Sequence, residues 1–214
     1  MRKEALIFGI LLALVISPVV VQAAKDPVLF VHGFTGSASN WATMIARLQA
    51  DGWPSNRLFA FTFSNPYDAS DGANVRNAQE VANWVNYIKR VTGASKIDIV
   101  AHSMGGLSTR YYLKFMGGTA NVDDYISLAS PHHGTIYALY GDMRIGSPFL
   151  TRLNSGDETP GTVSYTCVYS PIDELVQPMT SPQLQGCDNR MVLCGHIAML
   201  TDTTVYNIVK SKLN

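Results

Sequence analysis

The stretch that most limits the architecture is Lys-Ile-Asp-Ile-Val-Ala-His-Ser-Met-Gly-Gly, residues 96–106. Its apolar run over 97–100 reads as a strand buried on both faces. The run leads into Ser103, with the small residues Ala101 and Gly105 two positions to either side and a second glycine at Gly106. This pattern fits a strand that turns into a helix within one or two residues, with the serine at the apex. An apex residue takes a strained backbone, and bulky neighbours two positions away would collide with it. The demand is for smallness, which Ala101 meets as a glycine would. Gly106 lets the helix lie close to the sheet. The turn aims the Ser103 hydroxyl outward. It also puts the Met104 N–H at a helix start, where unpaired donors and the helix dipole favour a developing oxyanion. A plain helix-capping serine is the simpler alternative.

The rest of the chain alternates strands and helices. Apolar runs at 27–31, 58–63, 122–129, 162–168 and 191–194 read as strands. Helices are predicted over 74–91, 103–115 and 198–212, and from a cap at Ser39 or Asn40 through Trp41, Met44, Ile45 and Leu48. Residues Val75, Ala78, Val81, Val85 and Ile88 form one apolar stripe, and Gly93 ends that helix. Alternation of this kind implies a mostly parallel sheet with helices on both faces. Ligands of such sheets bind beyond the carboxyl ends of the strands. No repeat, low-complexity tract or interdomain linker interrupts residues 24–214, so one α/β domain is expected there.

A serine hydroxyl is a weak nucleophile and needs a base, which needs an orienting acid. Of five histidines, only His196 follows the last strand, where the chain order serine, acid, histidine would put it. His32, His132 and His133 follow other strands, and His102 adjoins the serine. Asp123, Asp124, Asp142, Asp157, Glu158, Asp173, Glu174 and Asp188 lie between Ser103 and His196. Asp173 stands one loop beyond a strand end and is preferred, with Asp157 in reserve. A second backbone donor fits Phe34, in the turn Val-His-Gly-Phe-Thr-Gly (31–36) that follows the first strand. Ile136, Tyr137 and Leu139, with Tyr140, Met143 and Ile145, are candidates for an apolar groove; ordinary packing is the alternative for each.

Arg2 and Lys3 precede an apolar run at 5–21 and the small-residue exit Val21-Gln22-Ala23. This reads as an export leader over 1–23, cleaved from a chain that works outside the cell with no stable membrane span. Zero formal net charge and the lack of a basic run argue against nucleic-acid binding. The three cysteines allow one disulfide in an oxidising compartment, and Cys187 with Cys194 are the preferred pair because they lie close in sequence. No Cys-x-x-Cys or His-Glu-x-x-His points to a metal. Neither metal nor cofactor is expected.

Four motifs together carry a likeness: Val-His-Gly-Phe-Thr-Gly, Ala-His-Ser-Met-Gly-Gly, Ser-Pro-Ile-Asp-Glu-Leu-Val (170–176) and Gly-His-Ile-Ala-Met-Leu (195–200). In type and order they resemble the small secreted bacterial lipases of the Bacillus type, the class 2 lipase family. Ala-x-Ser-x-Gly is that group's own form of the serine motif. The resemblance implies a minimal α/β hydrolase with a mostly parallel six-stranded sheet and no large lid. It implies Ser103 as nucleophile, Asp173 as acid and His196 as base, with Phe34 and Met104 as oxyanion donors. The substrate implied is a lipid or other carboxylic ester, met at an oil–water interface by a monomer. The cysteines and the 186–189 stretch depart from the Bacillus pattern, and Ser-Pro-His-His-Gly-Thr (130–135) is nearer to actinobacterial-type relatives. An acyltransferase or thioesterase would use the same three residues, and a binding protein without catalysis is a third possibility.

Overall fold

The computed structural model describes residues 25–213. The expected leader lies outside the described residues. Six strands form one sheet in the order β2-β1-β3-β4-β5-β6. They are β1 (Val28–Val31), β2 (Leu58–Phe61), β3 (Ile97–His102), β4 (Val122–Leu128), β5 (Ser164–Tyr169) and β6 (Asp188–Met191). Every neighbouring pair is parallel. The helices are α1 (Ala42–Ala50), α2 (Ala73–Thr92), α3 (Met104–Phe115), α4 (Pro148–Leu153) and α5 (Thr203–Lys212).

Alternation along the strands feeds two cores. Leu29 and Val31 of β1, with Ile97, Ile99 and Ala101 of β3, pack toward α2, α3 and α4. Val28, Phe30 and Val100 face the other way, against Trp41, Met44 and Leu48 and against Val205 and Val209 of α5. Burial on both faces is what an apolar run without alternation demands. The chain runs from β1 to β2 on one side and then returns to place β3 on the other side of β1. The sheet therefore reverses its winding between β1 and β3, and the crevice beyond their carboxyl ends is where such sheets bind ligands.

Most predicted elements appear with small shifts at their ends. Gly93 closes α2 in the left-handed region (φ 70°) with its N–H on the Lys89 carbonyl. On α2 the buried face is turned slightly from the apolar stripe, so that Asn74 and Asn77 are buried while Val75 is exposed. Asn74 accepts a hydrogen bond from Ser108 of α3 at 2.8 Å, which repays its burial. The last strand lies at 188–191, three residues before the apolar run 191–194. It is an edge strand of sequence Asp-Asn-Arg-Met with mostly exposed side chains, so backbone pairing to β5 defines it rather than an apolar face. Helix α4 falls in a segment for which the sequence offered no helical pattern.

The expected Cys187–Cys194 pair does not form. Cys167 on β5 bonds to Cys187, with Cα atoms 6.3 Å apart, and Cys194 is a free, buried thiol. Cys187 packs on the core beneath α2 and α3, whereas Cys194 belongs to the core on the opposite face. Nearness in sequence could not overcome that separation by the sheet. The bridge closes a loop of sequence separation 20, which contains Asp173.

Candidate active site

Ser103 stands between β3 and α3 with φ 54° and ψ −131°, a backbone conformation that a residue with a side chain rarely adopts. Its N–H is held by the Leu128 carbonyl at 2.9 Å. The surroundings leave no room for larger residues. A Cβ on Gly105 would stand 2.4 Å from the His32 carbonyl oxygen, and one on Gly106 would stand 2.0 Å from Ser130 Oγ. Gly33, across the crevice, would meet the Ser103 Cβ at 2.7 Å. Ala101 is fully buried and its methyl group belongs to the core beneath α2 and α3. One methyl is tolerated there because that side of the strand faces packed side chains rather than backbone.

The loop after β1 brings Phe34 beside this turn. His32 organises it. The ring Nε2 accepts the Phe63 N–H at 3.0 Å, so Nδ1 carries the proton and donates to the Gly33 carbonyl at 2.7 Å. Burial lowers the His32 pKa against the opposing pull of that backbone bond, keeping the ring neutral. The Thr35 N–H is tied to Pro66 and the Gly36 N–H to Gly33. The Phe34 N–H enters no hydrogen bond among the described residues. The Met104 N–H, first of α3, has no intrahelical acceptor. Two donors are thus unspent on either side of Ser103. The Phe34 side chain is exposed rather than part of the core.

Asp173 and His196 meet as a buried pair, with Nδ1 donating to Asp173 Oδ2 at 2.9 Å. The other carboxylate oxygen accepts the N–H groups of Leu175 and Val176 at 2.8 and 2.9 Å. Burial alone would raise the Asp173 pKa, but the His196 bond and charge and these two amides outweigh it, and the pKa falls below the usual value. Asp157, the reserve choice, instead caps its own turn at the Thr159 N–H. Asp142 caps α2 from a distance, accepting the Gly72 and Asn74 N–H groups at 2.8 Å each. His132 is buried on Ser127 Oγ, and His133 pairs with Glu158.

A cavity of about 450 Å³ opens onto these residues. Ser103 and His196 line it, as do Phe34, Tyr137, Leu139 and Leu175. Of the six candidate groove residues, Tyr137, Leu139, Tyr140 and Met143 form part of its wall, and Ile145 does not. Ile136 is exposed and stands outside it. No hydrogen bond joins Ser103 Oγ to the His196 ring among the described residues. Such contacts are commonly long without substrate and tighten when it binds. Among the described residues no three His, Cys, Asp or Glu side chains converge to hold a metal ion.

Two residues that the sequence names without a role, Glu174 and His102, contact His196. Glu174 accepts the His196 backbone N–H at 3.0 Å, and Gly195 is small because a Cβ there would meet the same carboxylate at 2.8 Å. His102 contacts the His196 carbonyl through Nε2. Neither contact has a local signature, since each joins loops that only the fold brings together.

A family model described as lipase (class 2) matches residues 25–212. The chain belongs to the class 2 lipase family. Two curated relatives of this family member, the triacylglycerol lipases of Pseudarthrobacter phenanthrenivorans and Burkholderia plantarii, are each 29% identical over 122 residues. Those matches cover 54% of this chain and 36% and 32% of the relatives, so the chain spans about a third of their length. Among solved structures, Aspergillus fumigatus lipase B superposes with a TM-score of 0.74 at 21% identity, covering 86% of this chain and 51% of that one. A Bacillus licheniformis lipase in its mature form gives 0.73 at 17% identity, covering 89% and 92%. At such identities these superpositions speak for the α/β-hydrolase fold.

Proposed function

We propose that this class 2 lipase family member is a secreted serine hydrolase that cleaves carboxylic esters with apolar acyl groups, triacylglycerols among them. The observation that carries the reading is the buried Asp173–His196 pair, whose histidine lines the same cavity as a serine on a strained turn. Asp173 holds the imidazole with Nδ1 protonated, which leaves Nε2 free to accept a proton. Ser103 Oγ bonds to the ester carbonyl carbon as His196 Nε2 takes the hydroxyl proton. The carbonyl oxygen becomes anionic and meets the Phe34 and Met104 N–H groups. The carbon–oxygen bond to the alcohol then breaks, and His196 returns the proton to the leaving oxygen. Water, deprotonated by His196, attacks the acyl-enzyme and releases the acid and Ser103.

An apolar acyl group is favoured by the walls that Phe34, Tyr137, Leu139 and Leu175 provide. Leu139 and Tyr140 are 83% and 74% exposed and line the cavity together with the exposed Leu175 and Ile197, which suits a lipid surface as the place of encounter. Export rests on the leader-like residues 1–23. The names of the curated relatives favour triacylglycerol, although the chain spans only part of them.

The test is a rate series over 4-nitrophenyl esters of increasing acyl length, with and without a competing alcohol. Activity that rises beyond acetate and falls by at least about a thousandfold in a folded Ser103→Ala variant is expected. Retained activity in that variant would refute the reading. Ester product from the alcohol in preference to free acid would make it an acyltransferase.

A further inference from the structure

The strand that presents Ser103 also holds the backbone of His196. His102 is the last residue of β3 and immediately precedes Ser103. Its ring is buried, its centroid is 4.6 Å from that of the His196 ring, and its Nε2 lies 3.1 Å from the His196 carbonyl oxygen. A carbonyl only accepts, so Nε2 carries the proton and donates. Burial first, and the charge of His196 next, push the His102 pKa down to about 3. The ring is therefore a neutral donor committed to a backbone oxygen, not a second base.

His196 has little else to fix it relative to the serine. It lies on an irregular segment between the end of β6 and the short 3-10 turn Ala198–Leu200. Its imidazole is bound by Asp173 and its N–H by Glu174. Both carboxylates come from the one loop after β5, so they tie base to acid and leave the nucleophile out. Among the described residues, the hydrogen bond from His102 is the one that runs from His196 to the element bearing Ser103.

We infer that His102 is a positioning residue whose Nε2–H bond to the residue 196 carbonyl sets the separation between the Ser103 hydroxyl and the His196 imidazole. The inference rests on the proposed roles of Ser103 and His196. It gives a chemical reason for a histidine beside the serine, where the turn itself asks only for a side chain that fits. A misplacement of about 1 Å at reacting groups can cost roughly a hundredfold in rate.

The test compares His102→Phe, which keeps an aromatic ring and loses the donor, with His102→Gln, which keeps a side-chain N–H. With 4-nitrophenyl butyrate, kcat is expected to fall roughly ten- to a hundredfold in His102→Phe with KM changed less than about twofold. His102→Gln is expected to restore most of the loss, and fluorophosphonate capture of Ser103 to slow in step with kcat. Thermal unfolding of each variant shows whether the fold is kept. Nitrogen NMR of the wild-type ring provides a measurement independent of the variants: a neutral His102 protonated at Nε2 at pH 7 is expected. A ring protonated at Nδ1 instead overturns the inference. So does a folded His102→Phe with wild-type kcat, or a folded His102→Gln as impaired as His102→Phe. Inactive wild type, or active Ser103→Ala, would instead sink the hydrolase reading on which the inference stands.

Discussion

Ser103 is fixed by backbone and packed atoms that leave no space around it, whereas Asp173 and His196 are fixed by a few polar contacts between two loops. On the first side, Gly33, Gly105 and Gly106 each sit where a Cβ would come within 2.7 Å of another residue's atoms. On the second, two hydrogen bonds hold Asp173 and Glu174 to His196, a third ties the His196 carbonyl to His102, and the Cys167–Cys187 bridge encloses the loop that carries the two carboxylates. Close packing enforces one geometry by exclusion. A hydrogen-bonded loop keeps its geometry only while each partner keeps its protonation state and its place. The two sides should therefore fail in different ways.

The largest effect is expected from Asp173→Asn. The amide cannot hold His196 in the tautomer with Nδ1 protonated, and kcat is expected to fall by about 10⁴-fold while the fold persists. Steady-state kinetics with circular dichroism would check this, and a loss under tenfold would contradict the assigned acid. Reduction of the Cys167–Cys187 bridge comes next. Loop-closure entropy for a separation of 20 amounts to about 3 kcal/mol. Denaturant unfolding with and without a thiol reductant measures it, and peptide mapping identifies the pair. A Cys187–Cys194 peptide would overturn the observed pairing.

Acid should strike the serine side first. His102 and His132 are buried with pKa values held below the ordinary 6.5, in each case by burial first. Below pH 6.5 the unfolded chain takes up protons that these folded rings refuse, so stability falls as pH falls. At pH 5.5 the His102 contribution amounts to about 1 kcal/mol, and His132 adds to it with the same sign. His32 acts in the same direction. Asp173 acts in the same direction in a lower window: its depressed pKa contributes stability above the ordinary 3.8, lost as pH falls through the folded value. Unfolding free energies between pH 7 and 5 would show a decline if this is correct and a plateau if it is not. The smallest effect is expected from Gly105→Ala. Crowding against the Val31 and His32 carbonyls is expected to destabilise by about 2 kcal/mol, measured by the same unfolding titration.

This contrast also explains what could be read from sequence. The turn at Ser103 was legible because its constraint is steric and local: small residues at 101, 105 and 106 announce it. The alternation of apolar runs likewise disclosed the parallel sheet, and Asp173 and His196 could be ranked by position after strands. The last strand was misplaced because an exposed edge such as Asp188–Met191 owes its structure to pairing with β5, and pairing leaves no apolar pattern. The disulfide was misassigned because sequence distance says nothing about which face of the sheet a cysteine occupies. The contacts of Glu174 and His102 with His196 were illegible for a related reason. Their partner is the backbone of His196, and backbone atoms are the same at every position.

In the proposed chemistry one serine hydroxyl, activated by His196, opens acyl bonds. The most direct measurement is treatment of the folded protein with a fluorophosphonate, followed by mass spectrometry of its peptides. A single adduct on Ser103 is expected, lost when the protein is unfolded beforehand and strongly slowed in His196→Ala. No adduct, or one on another residue while Ser103 stays free, would contradict it.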